Sequence, residues 1–267
     1  MKFNLESYIE LYITNECNLT CSNCNRFNNY DFRGHHSWTD NSQSILAWSQ
    51  RITAPMITII GGEPSVHPDL ESWARGAATA WPDIPVVIQT NGLICIQDFV
   101  WWKRACQDHP NLGLGIAVHS PKFLPSFKRK WKGAHRGQFA AWQFSQCALQ
   151  EQGAEFTVHD SNAELAWRAC TMRYSHTMLH GRLYRCPVVA VLPEFQQQYR
   201  VKMTPDQQTL LDSYQSLAPD CSDQDLEQFV RDRDTCMPQC KLCPEQYVES
   251  TVTFDPGRKQ WPPRRIA

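Results

Sequence analysis

Cys17, Cys21 and Cys24 stand in the run Cys17-Asn18-Leu19-Thr20-Cys21-Ser22-Asn23-Cys24, a C-x3-C-x2-C spacing on one short segment. Three thiolates so placed can converge on one metal centre. A cubane iron-sulfur cluster holds four irons and ordinarily takes four cysteines, so three protein ligands leave one iron open to a substrate or cofactor. The alternatives are inert buried thiols and structural zinc with His35 or His36 as fourth ligand, although zinc sites usually repeat a C-x2-C or H-x3-H pair. A second group, Cys170, Cys186, Cys236, Cys240 and Cys243, includes the spacings Gly181-x4-Cys186 and Cys240-x2-Cys243. Four cysteines with a C-x2-C pair suit zinc as well as iron-sulfur. Cys95, Cys106, Cys147 and Cys221 are isolated and read as small packing residues.

The elements that must position these groups alternate along the chain. Ile9, Leu11 and Ile13 alternate in a strand over Tyr8 to Thr14, and the cysteine run follows at once. Helix is predicted over Ser42 to Arg51, strand over Met56 to Ile60, then the turn Gly61-Gly62, and helix over Asp69 to Trp81 through Leu70, Trp73, Ala74 and Ala77. Strand then follows over Pro85 to Gln89, helix over Gln97 to Cys106, strand over Leu112 to Val118, helix over Phe139 to Gln150 and strand over Glu155 to Val158. Five strands in this order imply parallel pairing through right-handed crossovers, hence an α/β sheet or partial barrel. Beyond residue 165 the pattern changes to a hairpin over Leu179 to Arg185, with helices over Asp206 to Tyr214 and Asp225 to Val230.

Composition narrows the classes. The 267 residues are 42% hydrophobic and 20% charged with net charge -1, which excludes collagen-like, low-complexity and coiled-coil chains and gives no global pull toward nucleic acid or anionic membrane. No signal peptide or membrane-spanning run is found, so a reducing cytoplasmic setting is expected, in which the twelve cysteines serve metals or packing before disulfides.

The cysteine triplet after the first strand, together with Gly61-Gly62-Glu63-Pro64 after the second, resembles the radical S-adenosylmethionine (radical SAM) enzymes. The resemblance implies a partial (β/α)6 TIM-like barrel whose Cys17, Cys21 and Cys24 hold a [4Fe-4S] cluster. In that family the amino and carboxylate groups of SAM chelate the fourth iron, and reductive cleavage yields a 5'-deoxyadenosyl radical that removes a substrate hydrogen. Gly61, Gly62, Glu63 and Pro64 are then cofactor-binding: the glycines permit close approach, the proline stiffens the turn, and Glu63 is expected at the rim to accept from a cationic amine. Asn91 in Thr90-Asn91-Gly92, and Ser120 after the fourth strand, are further cofactor candidates, each matched by an ordinary turn reading. Asn23 stands where the family often has an aromatic against adenine, with Phe27 or Tyr30 as substitutes, and the fifth strand lacks the family's glycine pattern.

The second cysteine group resembles the auxiliary-cluster regions called twitch or SPASM, in the shorter twitch form. The resemblance implies a small C-terminal hairpin-plus-helix domain with one [4Fe-4S] cluster on Cys170, Cys186, Cys240 and Cys243, Cys236 being the competitor. The expected division is 1–165 barrel, 166–250 auxiliary domain and 251–267 basic tail.

The segment from His109 to Gln150 has no Asp or Glu but carries Lys122, Lys128, Arg129, Lys130, Lys132 and Arg136, a patch for an anionic group or a solvated loop. Trp101, Trp102 and Trp131 are read as packing before base stacking, so a nucleic-acid substrate is not favoured. His119, His159 and Tyr184 are the candidates for moving a proton. The first strand begins within ten residues of Met1, leaving no room ahead of it for a peptide-recognition module, so the expectation is a small, sugar-like substrate with the auxiliary cluster accepting an electron. Peptide crosslinking or epimerisation is the alternative within the family, and a zinc-bound interaction module the alternative outside catalysis. An electron donor such as flavodoxin or ferredoxin is the expected partner.

Overall fold

The computed structural model describes residues 2–118, 125, 127, 138–141, 144–145, 148–152, 155–249 and 252–253. Strands β1 (Tyr8–Tyr12), β2 (Ile57–Ile60), β3 (Val86–Thr90), β4 (Leu112–Val118) and β5 (Gln138–Ala141) lie side by side in that order, all parallel. Helices α1 (Trp38–Arg51), α2 (Leu70–Ala80) and α3 (Trp102–Asp108) fill the first three crossovers. This is the α/β alternation the sequence predicts.

The chain then departs from expectation. The helix predicted over Phe139 to Gln150 is absent: β5 occupies its start, Phe144–Ser145 is a short strand, and β6 (Leu149–Gln152) closes the segment. The strand predicted over Glu155 to Val158 forms as β7 (Glu155–Val158), but it pairs antiparallel with β6 and not with β4 or β5. Residue-level periodicity identifies a strand without naming its neighbours, and here local hairpin pairing wins. After the short α4 (Ala163–Ala169), β8 (Ser175–Leu179) returns to the large sheet parallel to β1 on its free side, and β9 (Arg182–Tyr184) folds back antiparallel along β8. The predicted hairpin is therefore present and extends the large sheet to seven strands.

The C-terminal part holds α5 (Pro187–Gln198), the short strand β10 (Val201–Lys202) beside β7, α6 (Pro205–Asp212) and α7 (Asp223–Arg231). Thr204 and Ser222 cap α6 and α7 through reciprocal capping boxes.

Alternation along β1 decides what faces what. Ile9, Leu11 and Ile13 enter the core between the sheet and helices α1 to α3, together with Ile57, Ile59, Val86, Ile88, Leu112, Leu114 and Ile116. The intervening residues face the other way, where Tyr12 joins a second core built on Phe27, Phe32, Phe156 and Phe195. Glu10 lies on that second face, buried to 6% exposure. Cys95 is buried in the first core and Cys106 and Cys221 pack against it, while Cys147 lies outside the described residues. Among the described residues no helix is long and apolar enough to cross a membrane.

Candidate active site

The cysteine loop leaves the end of β1, and two other strand ends are bonded to it. Gly62 N–H donates to Thr14 O at 2.7 Å and Glu63 N–H to Glu16 O at 2.8 Å, so the end of β2 is tied to the residues just before Cys17. A Cβ on Gly61 would collide with Thr14 O and one on Gly62 with Glu16 O. The paired glycines thus admit the neighbouring chain segment itself.

Glu63 is not at the rim. It is 1% exposed, and its carboxylate accepts from Thr90 Oγ1 at 2.6 Å, Asn91 N at 2.7 Å and Ser65 N at 3.0 Å. Burial is the main influence on its acidity and holds the carboxyl above its ordinary range against those three donors. Asn91 then reaches the cysteine loop directly, its Nδ2 donating to Asn18 Oδ1 at 2.6 Å. Thr14–Cys24, Gly61–Pro64 and Thr90–Gly92 are thereby one bonded unit.

Within the loop the Cys17 sulfur accepts Leu19 N–H at 3.4 Å. Burial pushes the Cys17 thiol well above its usual range, with Glu63 adding to the effect, and pushes Cys21 up to about 12. Thiols whose acidity is suppressed in this way stay protonated at neutral pH, and a metal centre replaces those protons. Tetrahedral zinc, with Zn–S near 2.3 Å, would bring sulfurs to about 3.8 Å of one another. Among the described residues no three cysteine sulfurs, and no pair of them together with His35 or His36, lie within 4.8 Å of one another. His35 instead hydrogen-bonds Thr14 Oγ1 at 2.8 Å.

Phe27, a substitute for the missing aromatic contact, is fully buried against Phe195 in the second core and is withdrawn from that role. Tyr30 remains at the site, with its hydroxyl donating to Glu151 Oε1 at 2.6 Å.

The second cysteine group also gathers. Burial pushes Cys186 up to about 12 and Cys170 and Cys240 up to about 11; Cys186 feels Cys170, Cys170 feels Cys240, and Cys240 feels both Cys186 and Cys236. Cys170 and Cys186 sulfurs accept the N–H groups of Met172 at 3.3 Å and Val188 at 3.4 Å. Cys243 N–H closes the C-x2-C turn on Cys240 O at 3.0 Å, and its side chain packs on the second core. The Cys236 thiol is raised chiefly by its hydrogen bond to Glu164.

Sequence reasoning missed the link between the two groups. Arg26 Nη2 meets Glu10 Oε2 at 2.6 Å on the second face of the sheet, with Cys24 within electrostatic reach of Arg26 and Cys186 within reach of Glu10. A glutamate inside an apolar strand, Glu10 between Ile9 and Leu11, was the available signal.

A cavity of about 340 Å³ is lined by Ser22 and Asn23 of the first cysteine loop, by Tyr30 and His159, and by Pro244 and Gln246 just past Cys243. His159 Nδ1 lies 3.0 Å from Gln150 Nε2. Tyr184 is elsewhere, stacked on Tyr214 with ring centres 6.0 Å apart. His119, Ser120, Lys122, Lys128, Arg129, Lys130, Trp131, Lys132 and Arg136 lie outside the described residues, as does the tail beyond residue 253.

No protein-family model and no curated protein matches the chain. Among solved structures it is similar to Streptococcus suis SuiB bound to precursor peptide SuiA, at 16% identity and a TM-score of 0.39, over 53% of this chain and 33% of that one. It is also similar to BtrN in complex with AdoMet and 2-DOIA, at 16% identity and a TM-score of 0.49, over 91% of this chain and 94% of that one. A third similar structure is histidine-tagged anSMEcpe with bound AdoMet, at 15% identity and a TM-score of 0.37, over 51% and 43% of the two chains. The chain spans about a third of the length of SuiB. At such identity and superposition the likeness carries no residue role and no substrate from those proteins to this one.

Proposed function

We propose that this chain is a radical SAM oxidoreductase with a partial (β/α)6 barrel, a twitch-like auxiliary region and a small-molecule, sugar-like substrate. The observation that carries the reading is the bonded unit in which Glu63 and Asn91 fasten the ends of β2 and β3 to the loop bearing Cys17, Cys21 and Cys24. Those three thiols are the ligands for a [4Fe-4S] cluster, and SAM would lie against Gly61–Pro64 and Asn91. When bound, cluster and SAM together supply a 5'-deoxyadenosyl radical. The chain's own part is to hold the loop, bury it and exclude water. Three half-buried thiols that do not close on a single tetrahedral ion fit such a group.

Cys170, Cys186 and Cys240, with Cys243 or Cys236 as fourth, would hold an auxiliary [4Fe-4S] cluster, which would supply an acceptor for the substrate's second electron. Backbone N–H bonds to Cys170 and Cys186 sulfurs are of the kind that raise a cluster's potential. A cavity of about 340 Å³ between the two cysteine groups is within the range of small-ligand sites, and His159 on its wall is the candidate proton acceptor. Electrons for the first cluster come from a flavodoxin or ferredoxin in a reducing cytoplasm.

The test is anaerobic reconstitution followed by iron analysis and incubation with SAM and dithionite. About eight irons per chain and formation of 5'-deoxyadenosine are expected, two clusters of four irons each. Cys17→Ala abolishes that product, whereas Cys240→Ala leaves uncoupled SAM cleavage largely in place. Zinc without iron, or equal loss in both variants, overturns the reading.

A further inference from the structure

Away from the cysteines, three residues remote in sequence bring ligand atoms together: His36, His180 and Glu194 each present one, all within 4.8 Å of one another. His180 Nε2 lies 2.6 Å from Glu194 Oε1, and His36 Nε2 lies 3.6 Å from Glu194 Oε2. Bonds of about 2.0 to 2.1 Å from zinc to nitrogen or oxygen place neighbouring ligands about 3.3 Å apart, a spacing these two distances bracket.

His36 carries the second observation. It is 7% exposed, and its Nε2 is buried without a hydrogen-bond partner while directed at Glu194. A buried polar atom left unmatched is costly unless something fills the gap.

The surroundings hold the backbone at both histidines and one oxygen of the carboxylate. Trp73 Nε1 at 2.8 Å and His67 Nε2 at 3.0 Å both bond the His36 carbonyl. Asn15 Nδ2 donates to Glu194 Oε2 at 3.3 Å, orienting the carboxylate. His180 and Gly181 have φ of +50° and +69°, the left-handed pair of a tight hairpin turn, and Gly181 O accepts from Trp48 Nε1 at 2.9 Å. Such supporting bonds are what hold metal ligands in place.

We propose that His36, His180 and Glu194 form a binding site for a divalent zinc-class cation, distinct from both cysteine groups. The ion takes the place of the His180–Glu194 hydrogen bond and ties the β8–β9 turn and α5 to the segment ahead of α1. Two histidines and one carboxylate leave a fourth position for water.

The experiment uses cluster-loaded protein, so that the cysteines are already occupied, titrated with Zn2+ and freed of excess by gel filtration. One zinc per chain is expected, with a nitrogen and oxygen shell at the zinc X-ray absorption edge. His180→Asn keeps the turn, because Asn-Gly is a favoured pair there, and should weaken zinc on the order of 100-fold. Zinc should also raise the melting temperature of the wild type but not of the variant. If His180→Asn does not fold, Glu194→Gln is read the same way. A sulfur shell, no retained zinc, or unchanged affinity in the folded variant overturns the site.

Discussion

Arg26 and Glu10 form an ion pair at 2.6 Å with side chains 10% and 7% exposed, on the sheet face turned toward both cysteine groups. Glu10 comes from β1 and Arg26 from the cysteine loop, so the pair pins that loop to the sheet floor.

Breaking one side of a buried pair leaves an uncompensated charge, a cost of about 3 to 5 kcal/mol, while removing both is often close to neutral. Arg26→Met is therefore expected to destabilise strongly, and adding Glu10→Leu to recover most of the loss. Urea denaturation of the reduced, metal-free chain measures both. Equal stability of the single and double variants would show that the pair is not the anchor.

Gly62→Ala places a methyl group against Glu16 O, one residue before Cys17. The expected result is loss of about four of eight irons, the first cluster alone, and of 5'-deoxyadenosine formation. Full iron loading in this variant would count against the tight junction of β2 and the cysteine loop.

His176 is 1% exposed and packs against Phe229 with ring centres 4.9 Å apart. Burial holds it down to about 4, from 6.5 when exposed. The unfolded chain then takes up a proton that the folded chain refuses. This contribution to stability is complete above pH 6.5, declines as pH falls toward 4 and levels off below, a total of about 3 kcal/mol. His176→Leu should flatten that decline; parallel urea midpoints against pH for the two proteins would refute it.

His159→Gln, on the cavity wall, is expected to lower substrate turnover by about 10² to 10⁴ while SAM cleavage continues, the range for loss of a general base. The comparison of product formed with 5'-deoxyadenosine released decides it. Proportional loss of both assigns His159 to structure.

Much of the frame was legible beforehand because it is periodic. Ile9, Leu11 and Ile13 announced β1, and Leu70, Trp73, Ala74 and Ala77 announced α2, since each set occupies one face of its element. Helix α5 was missed for the opposite reason. Its Pro187, Val188, Val189, Ala190, Val191 and Leu192 are buried on every side, so no polar stripe marks a period, and Pro193 and the β-branched residues argue against helix locally. Tertiary burial overrode that preference.

The sequence by itself determined the thiols, their spacing and the strand ends that carry them, because those follow from local order along the chain. Only the tertiary structure decided that Glu63 turns inward to Thr90 and Asn91, that Glu10 meets Arg26, and that His36, His180 and Glu194 meet at all. Such pairings span many residues, and they are set by which strands become neighbours and which faces are buried together, information that no short window of the chain contains.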